Sequence, residues 1–105
     1  MPAEDVRWNL SPRTADDGAT IELAPTGELD LATTRRLADA LNAAQSRSRD
    51  VTLDLRRLDF MDCSSLAVLV TARERARRCD GRFHILRGPP SVERLFTLTG
   101  IEQLL

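Results

Sequence analysis

The sequence contains no lysine; all 15 of its basic residues are arginine. Schiff-base chemistry, which needs a lysine amine, is thereby excluded. Histidine occurs once, at His84, too few for a histidine-based metal centre. Only four residues are aromatic, Trp8, Phe60, Phe83 and Phe96, so a core must be built mainly from Leu, Val, Ile and Ala. No apolar run approaches the roughly 20 residues of a membrane span, which argues against membrane insertion. The amino-terminal "MPAEDVRWNL" lacks the basic-then-apolar pattern of a secretory signal, so a cytoplasmic location is expected. The net charge of −1 lacks the basic excess of a dedicated nucleic-acid binder.

Cysteine is equally sparse. Cys63 and Cys79 are the only two, and the segment between them has helical spacing. Sixteen helical residues at about 1.5 Å each separate them by about 24 Å, whereas a disulfide needs Cα atoms within about 7 Å. Two free, reduced thiols are expected.

What is present is a 105-residue chain with 42% hydrophobic and 30% charged residues, suited to one domain spanning residues 1–105. "VRWNL" (Val6 to Leu10) reads as a first strand and "SPRTADDGA" as a turn. "TIELAPTGELD" alternates at Ile21 and Leu23 as a half-buried strand does. "TTRRLADALNAAQ" puts Leu37, Ala40, Leu41 and Ala44 at helical spacing, with Thr33 as N-cap. "VTLDL" alternates again, turning Val51, Leu53 and Leu55 to one side.

From Ser64 to Cys79 the spacing is helical. Val68, Leu69, Ala72, Ala76 and Cys79 form an inward stripe, and Arg73, Glu74, Arg77 and Arg78 face out. "RFHIL" is a further strand with Phe83 and Ile85 inward. Pro90 and Ser91 open a last helix carrying Val92, Leu95 and Phe96, closed by Gly100.

The order β-β-α-β-α-β-α predicts an α/β fold with mostly parallel later strands. Polar residues alternate through "VTLDL" and "RFHIL", whereas a sheet covered on both faces has continuous apolar strands. The expectation is therefore a mixed, mostly parallel sheet of four to five strands with helices on one face.

"LDFMDCSSLAVLV" concentrates an acid, a thiol and two hydroxyls where strand passes into helix. Asp62 suits an N-cap, accepting the N–H of Ser64 or Ser65. A helix start also favours a bound or covalent phosphate. Catalytic readings fail on missing partners. A phosphatase-type Cys63 wants arginine at position 69, which is Leu. A serine nucleophile lacks a base other than the mid-strand His84, and neither a G-x-S-x-G elbow nor a P-loop is present. No enzyme activity, cofactor or metal site is expected.

"GELDLATTRRLADAL", "VTLDLRRLDFMDCSSLAVLV" and "LFTLTGIEQLL" resemble the STAS domain, named for sulphate transporters and anti-sigma factor antagonists. The likeness runs from about Val6 to Leu105, and the free-standing form is similar to bacterial anti-sigma factor antagonists. The resemblance implies phosphorylation of the serine two residues after the motif aspartate, here Ser64, with Ser65 as fallback. It also implies a partner that is both anti-sigma factor and serine kinase, a Mg-ATP-using ATPase of the histidine-kinase-like type, and a serine phosphatase that reverses the mark.

The partner-binding surface is expected at Asp30, Leu31, Thr33, Asp62, Cys63, Ser64, Ser65 and Leu66. The usual D-S-S-G-L-G reads D-C-S-S-L-A here, with Cys63 for serine and Ser65 for glycine. Those departures support the alternative of a non-phosphorylated STAS-type module, a transport accessory or ligand sensor within a larger complex.

Overall fold

A computed structural model describes residues 8–14 and 19–101, with the side chains of residues 8–13 left aside. The elements are strand β1 (Trp8–Thr14), strand β2 (Ile21–Leu29), helix α1 (Thr34–Arg47), strands β3 (Asp50–Asp54) and β4 (Leu58–Met61), helix α2 (Leu66–Arg78), strand β5 (Arg82–Leu86) and helix α3 (Pro90–Thr99). A short 3₁₀ turn, Cys63–Ser65, leads into α2.

The strands form one sheet in the order β1-β2-β3-β5, with β4 also paired to β2. β1 is antiparallel to β2; the other pairings are parallel. β2 meets β3 over Ile21–Leu23 and β4 over Gly27–Leu29. Pro25 falls between the two stretches, where its missing N–H breaks neither ladder. The fold is thus the expected mixed, mostly parallel sheet, with the strand-like run at Leu58 forming a fifth strand.

Strand alternation decides which face is covered. Val51, Leu53 and Phe83 are buried, while Thr52 is half-buried and His84 exposed. One core cluster joins Leu23, Leu29, Val51, Leu53 and Phe83 to Leu37 and Leu41 of α1, Leu69 and Ala72 of α2, and Val92 and Phe96 of α3. The three helices therefore share one face of the sheet. Each fully buried leucine or phenylalanine contributes about 1.5–3 kcal/mol. Aliphatic side chains dominate, as the shortage of aromatics requires. Gly88 is required by close approach, since a Cβ there would lie 2.4 Å from the Leu55 carbonyl oxygen.

Several details differ from the sequence reading. β1 runs to Thr14, through residues expected to turn; Val6 and Arg7 lie outside the described residues, as do residues 15–18. Among the described residues β1 pairs with β2 alone, and an edge strand tolerates Pro12 because one side of its ladder faces no partner. Cys79, expected in the apolar stripe, is exposed and is the C-cap residue of α2. Beyond it, Asp80 takes the left-handed conformation (φ 56°). The Gly81 N–H reaches the Ala76 carbonyl and the Asp80 N–H the Arg77 carbonyl, the bond pair of a Schellman closure. Gly100 caps α3 with φ 71°, as expected.

Candidate functional site at the ends of β2 and β4

Parallel strands deliver their carboxyl ends to one edge of a sheet, where α/β folds place their sites. Here Leu29 of β2 pairs with Met61 of β4, and the Asp62 N–H donates to the Leu29 carbonyl at 3.0 Å. Asp30 and Asp62 are the next residues, so the two aspartates of the sequence motif leave the sheet side by side. A register shift sets this alignment. Gly27 pairs with Leu58 but Glu28 with Phe60, leaving Asp59 as the extra residue of a bulge. Gly27 sits at φ 92° in the shifted stretch, a conformation that costs glycine little.

Each aspartate then organises a helix entry. Asp30 Oδ1 accepts the Ala32 N–H at 3.0 Å and the Thr33 N–H at 3.3 Å, while its carbonyl accepts the Thr34 N–H at 2.8 Å. Thr33, expected to cap α1, makes no side-chain cap bond. Its Oγ1 instead donates to the Glu28 carbonyl and accepts the Asp30 N–H, because Asp30 already serves the turn's amides.

Asp62 behaves as expected. Its Oδ1 accepts the Ser64 N–H at 2.9 Å, a cap bond of the kind whose loss costs about 1 kcal/mol. The same oxygen also accepts the Ser64 hydroxyl.

Ser64 is therefore held from two sides. A carboxylate only accepts, so the Ser64 O–H donates to Asp62. On the other side, Thr34 Oγ1 lies 2.9 Å from Ser64 Oγ and 3.2 Å from Ser65 Oγ. The single Thr34 hydrogen is shared between Ser64 and the Asp30 carbonyl, 2.8 Å away. Asp30 itself thus reaches Ser64 only through Thr34. Ser64 is half-buried beside the positive end of α2. Its proton rests on a carboxylate, and one oxygen lone pair stays open at the helix entry.

The expected partner surface divides in two. Leu31 is 78% exposed, Cys63 is exposed, and Asp30, Asp62 and Ser64 are partly open. Thr33, Ser65 and Leu66 are buried, at 1%, 0% and 6% exposure, and offer no docking surface. Ser65 Oγ points inward, 3.5 Å from the Leu29 carbonyl. Its periodic position three residues before Val68 carried that signal. Phe60, 46% exposed on β4, is an apolar surface residue that the sequence reading did not assign to the site.

Among the described residues no group of three or more His, Cys, Asp or Glu side chains could hold a metal ion. No described helix is long and apolar enough to cross a membrane.

The family model described as "Mlab, STAS domain" matches residues 12–105. The anti-sigma-B factor antagonist of Staphylococcus aureus (strain NCTC 8325 / PS 47) is 29% identical over 98 residues, covering 92% of this chain and 91% of that protein. The unphosphorylated anti-sigma factor antagonist SpoIIAA superposes with a TM-score of 0.72 at 22% identity, over 91% of this chain and 84% of the other. The phosphorylated form of the Bacillus cell fate determinant SpoIIAA gives 0.70 at 19% identity, over 91% and 87%.

Proposed function

The chain belongs to the STAS domain family, and on that premise we propose that it is an anti-sigma factor antagonist in a partner-switching pathway. The unphosphorylated chain binds an anti-sigma factor and frees a sigma factor; phosphorylation of Ser64 switches it off. The observation that carries this reading is the Ser64 hydroxyl, held between Asp62 and Thr34 at an accessible helix entry. The name of the staphylococcal relative supports the binding role. The existence of SpoIIAA in phosphorylated and unphosphorylated forms supports a phosphate switch on this fold.

The physical logic is electrostatic. A phosphate adds about 1.5–2 negative charges at neutral pH. It also removes the proton that Ser64 gives to Asp62, replacing a hydrogen bond by an anionic phosphate ester set beside a carboxylate. The positive end of α2 and the Thr34 hydroxyl stabilise the new charge locally, so the fold persists. Across the docking surface of Asp30, Leu31, Phe60, Asp62 and Cys63, the same charge meets a partner site fitted to a neutral hydroxyl. Every loss of about 1.4 kcal/mol there weakens binding tenfold.

The partner in this reading is an anti-sigma factor that is also a serine kinase of the histidine-kinase-like ATPase type, using Mg-ATP; a serine phosphatase restores the active form. The protein itself acts as a binding switch and carries out no chemistry.

The test uses tagged chains expressed in the source cells. Ser64→Ala should retain an ATP-binding anti-sigma factor through purification, and Ser64→Glu should lose it. Equal retention of that factor by both variants contradicts a switch at Ser64.

A further inference from the structure

We propose that a cleft along β5, separate from the Ser64 site, binds a small organic anion with a flat apolar body, of the kind represented by an aromatic phosphate monoester. The cleft has a volume of about 500 Å³, within the roughly 300–1,000 Å³ of small-molecule sites. None of its lining residues belongs to the Ser64 site.

Three arginines contribute to its lining. Arg73 comes from α2, Arg82 and His84 from β5, and Arg87 from the segment that follows. Phe83 and Phe96, both members of the core cluster, also line it. Among the described residues no aspartate or glutamate lines it. Arg87 is partly neutralised, with its Nη1 3.2 Å from Glu93 Oε1 and its guanidinium 5.6 Å from the centre of the Phe96 ring. Arg73 and Arg82 form no ion pair among the described residues.

Arg73 and Arg82 line the same cleft without an ion pair among the described residues, so an anion bound there meets positive charge that no described carboxylate already holds. A guanidinium fork matches carboxylate or phosphate oxygens in pairs, which adds direction to the attraction. The aromatic residues give the remainder of such a ligand an apolar surface to cover. Arg78, exposed on the following turn of α2, extends the positive field and raises the encounter rate with anions.

Arginine and aromatic residues line it together, so neither kind alone accounts for it. Inorganic phosphate satisfies only the arginines, and a neutral hydrocarbon satisfies only Phe83 and Phe96. An anionic head on a ring satisfies both. The proposal does not depend on the Ser64 switch.

The test is a titration of the full chain with 1-naphthyl phosphate, followed residue by residue in an amide correlation spectrum. Saturable shifts are expected over residues 81–87 and at Phe96, and Ser64→Ala should leave them unchanged. The Arg73→Gln/Arg82→Gln double variant, at one half-buried and one exposed position, should bind about tenfold or more weakly. Inorganic phosphate and 1-naphthol should each also bind at least about tenfold more weakly than the ester.

Absence of saturable shifts along β5 overturns the proposal, as does an affinity indifferent to the double substitution in a variant whose spectrum shows it folded. Binding of an extended acidic peptide to the β5 edge, with no binding of the ester, also overturns it and makes the cleft a strand-docking edge.

Discussion

Leu29 stands opposite Met61 across the β2–β4 pairing, and this one pairing places Asp30 and Asp62 beside each other. The alignment depends on the register shift at Gly27 and Glu28. Without it Leu29 would meet Phe60, and the two helix entries that hold Ser64 would be out of step by a residue. A one-residue slip also reverses the face to which each side chain points.

Gly27 is therefore a sensitive position. Its φ of 92° strains any residue with a Cβ, by about 1–2 kcal/mol in the left-handed region. Gly27→Ala should lower stability by about that amount, read as a lower urea midpoint with an unchanged slope. An unchanged midpoint would mean that the bulge relaxes without cost.

Thr34→Val removes the hydroxyl between α1 and the two serines while keeping the shape of the side chain. Ser65 Oγ is then left with only its 3.5 Å approach to the Leu29 carbonyl. A cost of about 1 kcal/mol is expected, which for a domain of this size lowers Tm by roughly 4–8 °C. Phosphorylation of Ser64 should still occur, because Asp62 keeps its hold on that hydroxyl. A melting temperature equal to that of the parent chain would show that the hydroxyl tie contributes nothing net.

Asp80→Gly should stabilise the protein. Asp80 occupies the left-handed position of the α2 closure at φ 56°, where glycine pays no Cβ penalty. The expected gain is about 0.5–1 kcal/mol, the left-handed penalty of about 1–2 kcal/mol less the entropic cost of glycine, about 0.5–1 kcal/mol, measured as a raised urea midpoint. A lower midpoint would point to an interaction of the Asp80 side chain that outweighs its backbone strain.

Asp54 carries a pH dependence of stability. The hydrogen bond from the Arg56 side chain is the largest influence and draws the carboxyl below its ordinary value of 3.8, with burial opposing it. The ion pair is 3.0 Å long, and Asp54 is the better-covered partner. A carboxyl whose pKa is depressed by folding binds its proton more readily when unfolded. Its contribution is complete above the ordinary 3.8 and is lost as pH falls below that value through the folded-state pKa. The stability difference between the parent chain and Asp54→Asn should therefore be constant near neutrality and shrink in acid. A difference that stays flat to the acid limit of folding would contradict this assignment.

The sequence disclosed the fold where local signals and tertiary packing agree. Alternation in "VTLDL" and "RFHIL" located β3 and β5 and the single covered face, since half-buried strands have period two. Gly100 and Pro90 marked the bounds of α3 through backbone geometry alone. Asp62 declared its cap because its partner is two residues away.

Signals failed where the deciding contact is distant in sequence. Thr33 has the right chemistry for a cap, but Asp30 already serves those amides. The extent of β1 was hidden because an edge strand accepts turn-forming residues. Ser65 looked like a surface hydroxyl beside Ser64, yet a 3₁₀ turn rotates it into the core towards Thr34 and Leu29, 31 and 36 residues away in the chain. Neither the pairing of Leu29 with Met61 nor the cleft along β5 follows from any local pattern, because each joins elements far apart in sequence.

The central claim is that Ser64 is the modified residue of a phosphate switch. The most direct measurement is peptide mapping by mass spectrometry after the full chain is incubated with Mg-ATP and an extract of its source cells, beside the Ser64→Ala variant. The account predicts a single phosphate on Ser64 and none on Ser64→Ala, with Ser65 unmodified in both. A phosphate on Ser65, a singly phosphorylated Ser64→Ala, or an unmodified chain in an extract that phosphorylates a control substrate would contradict it.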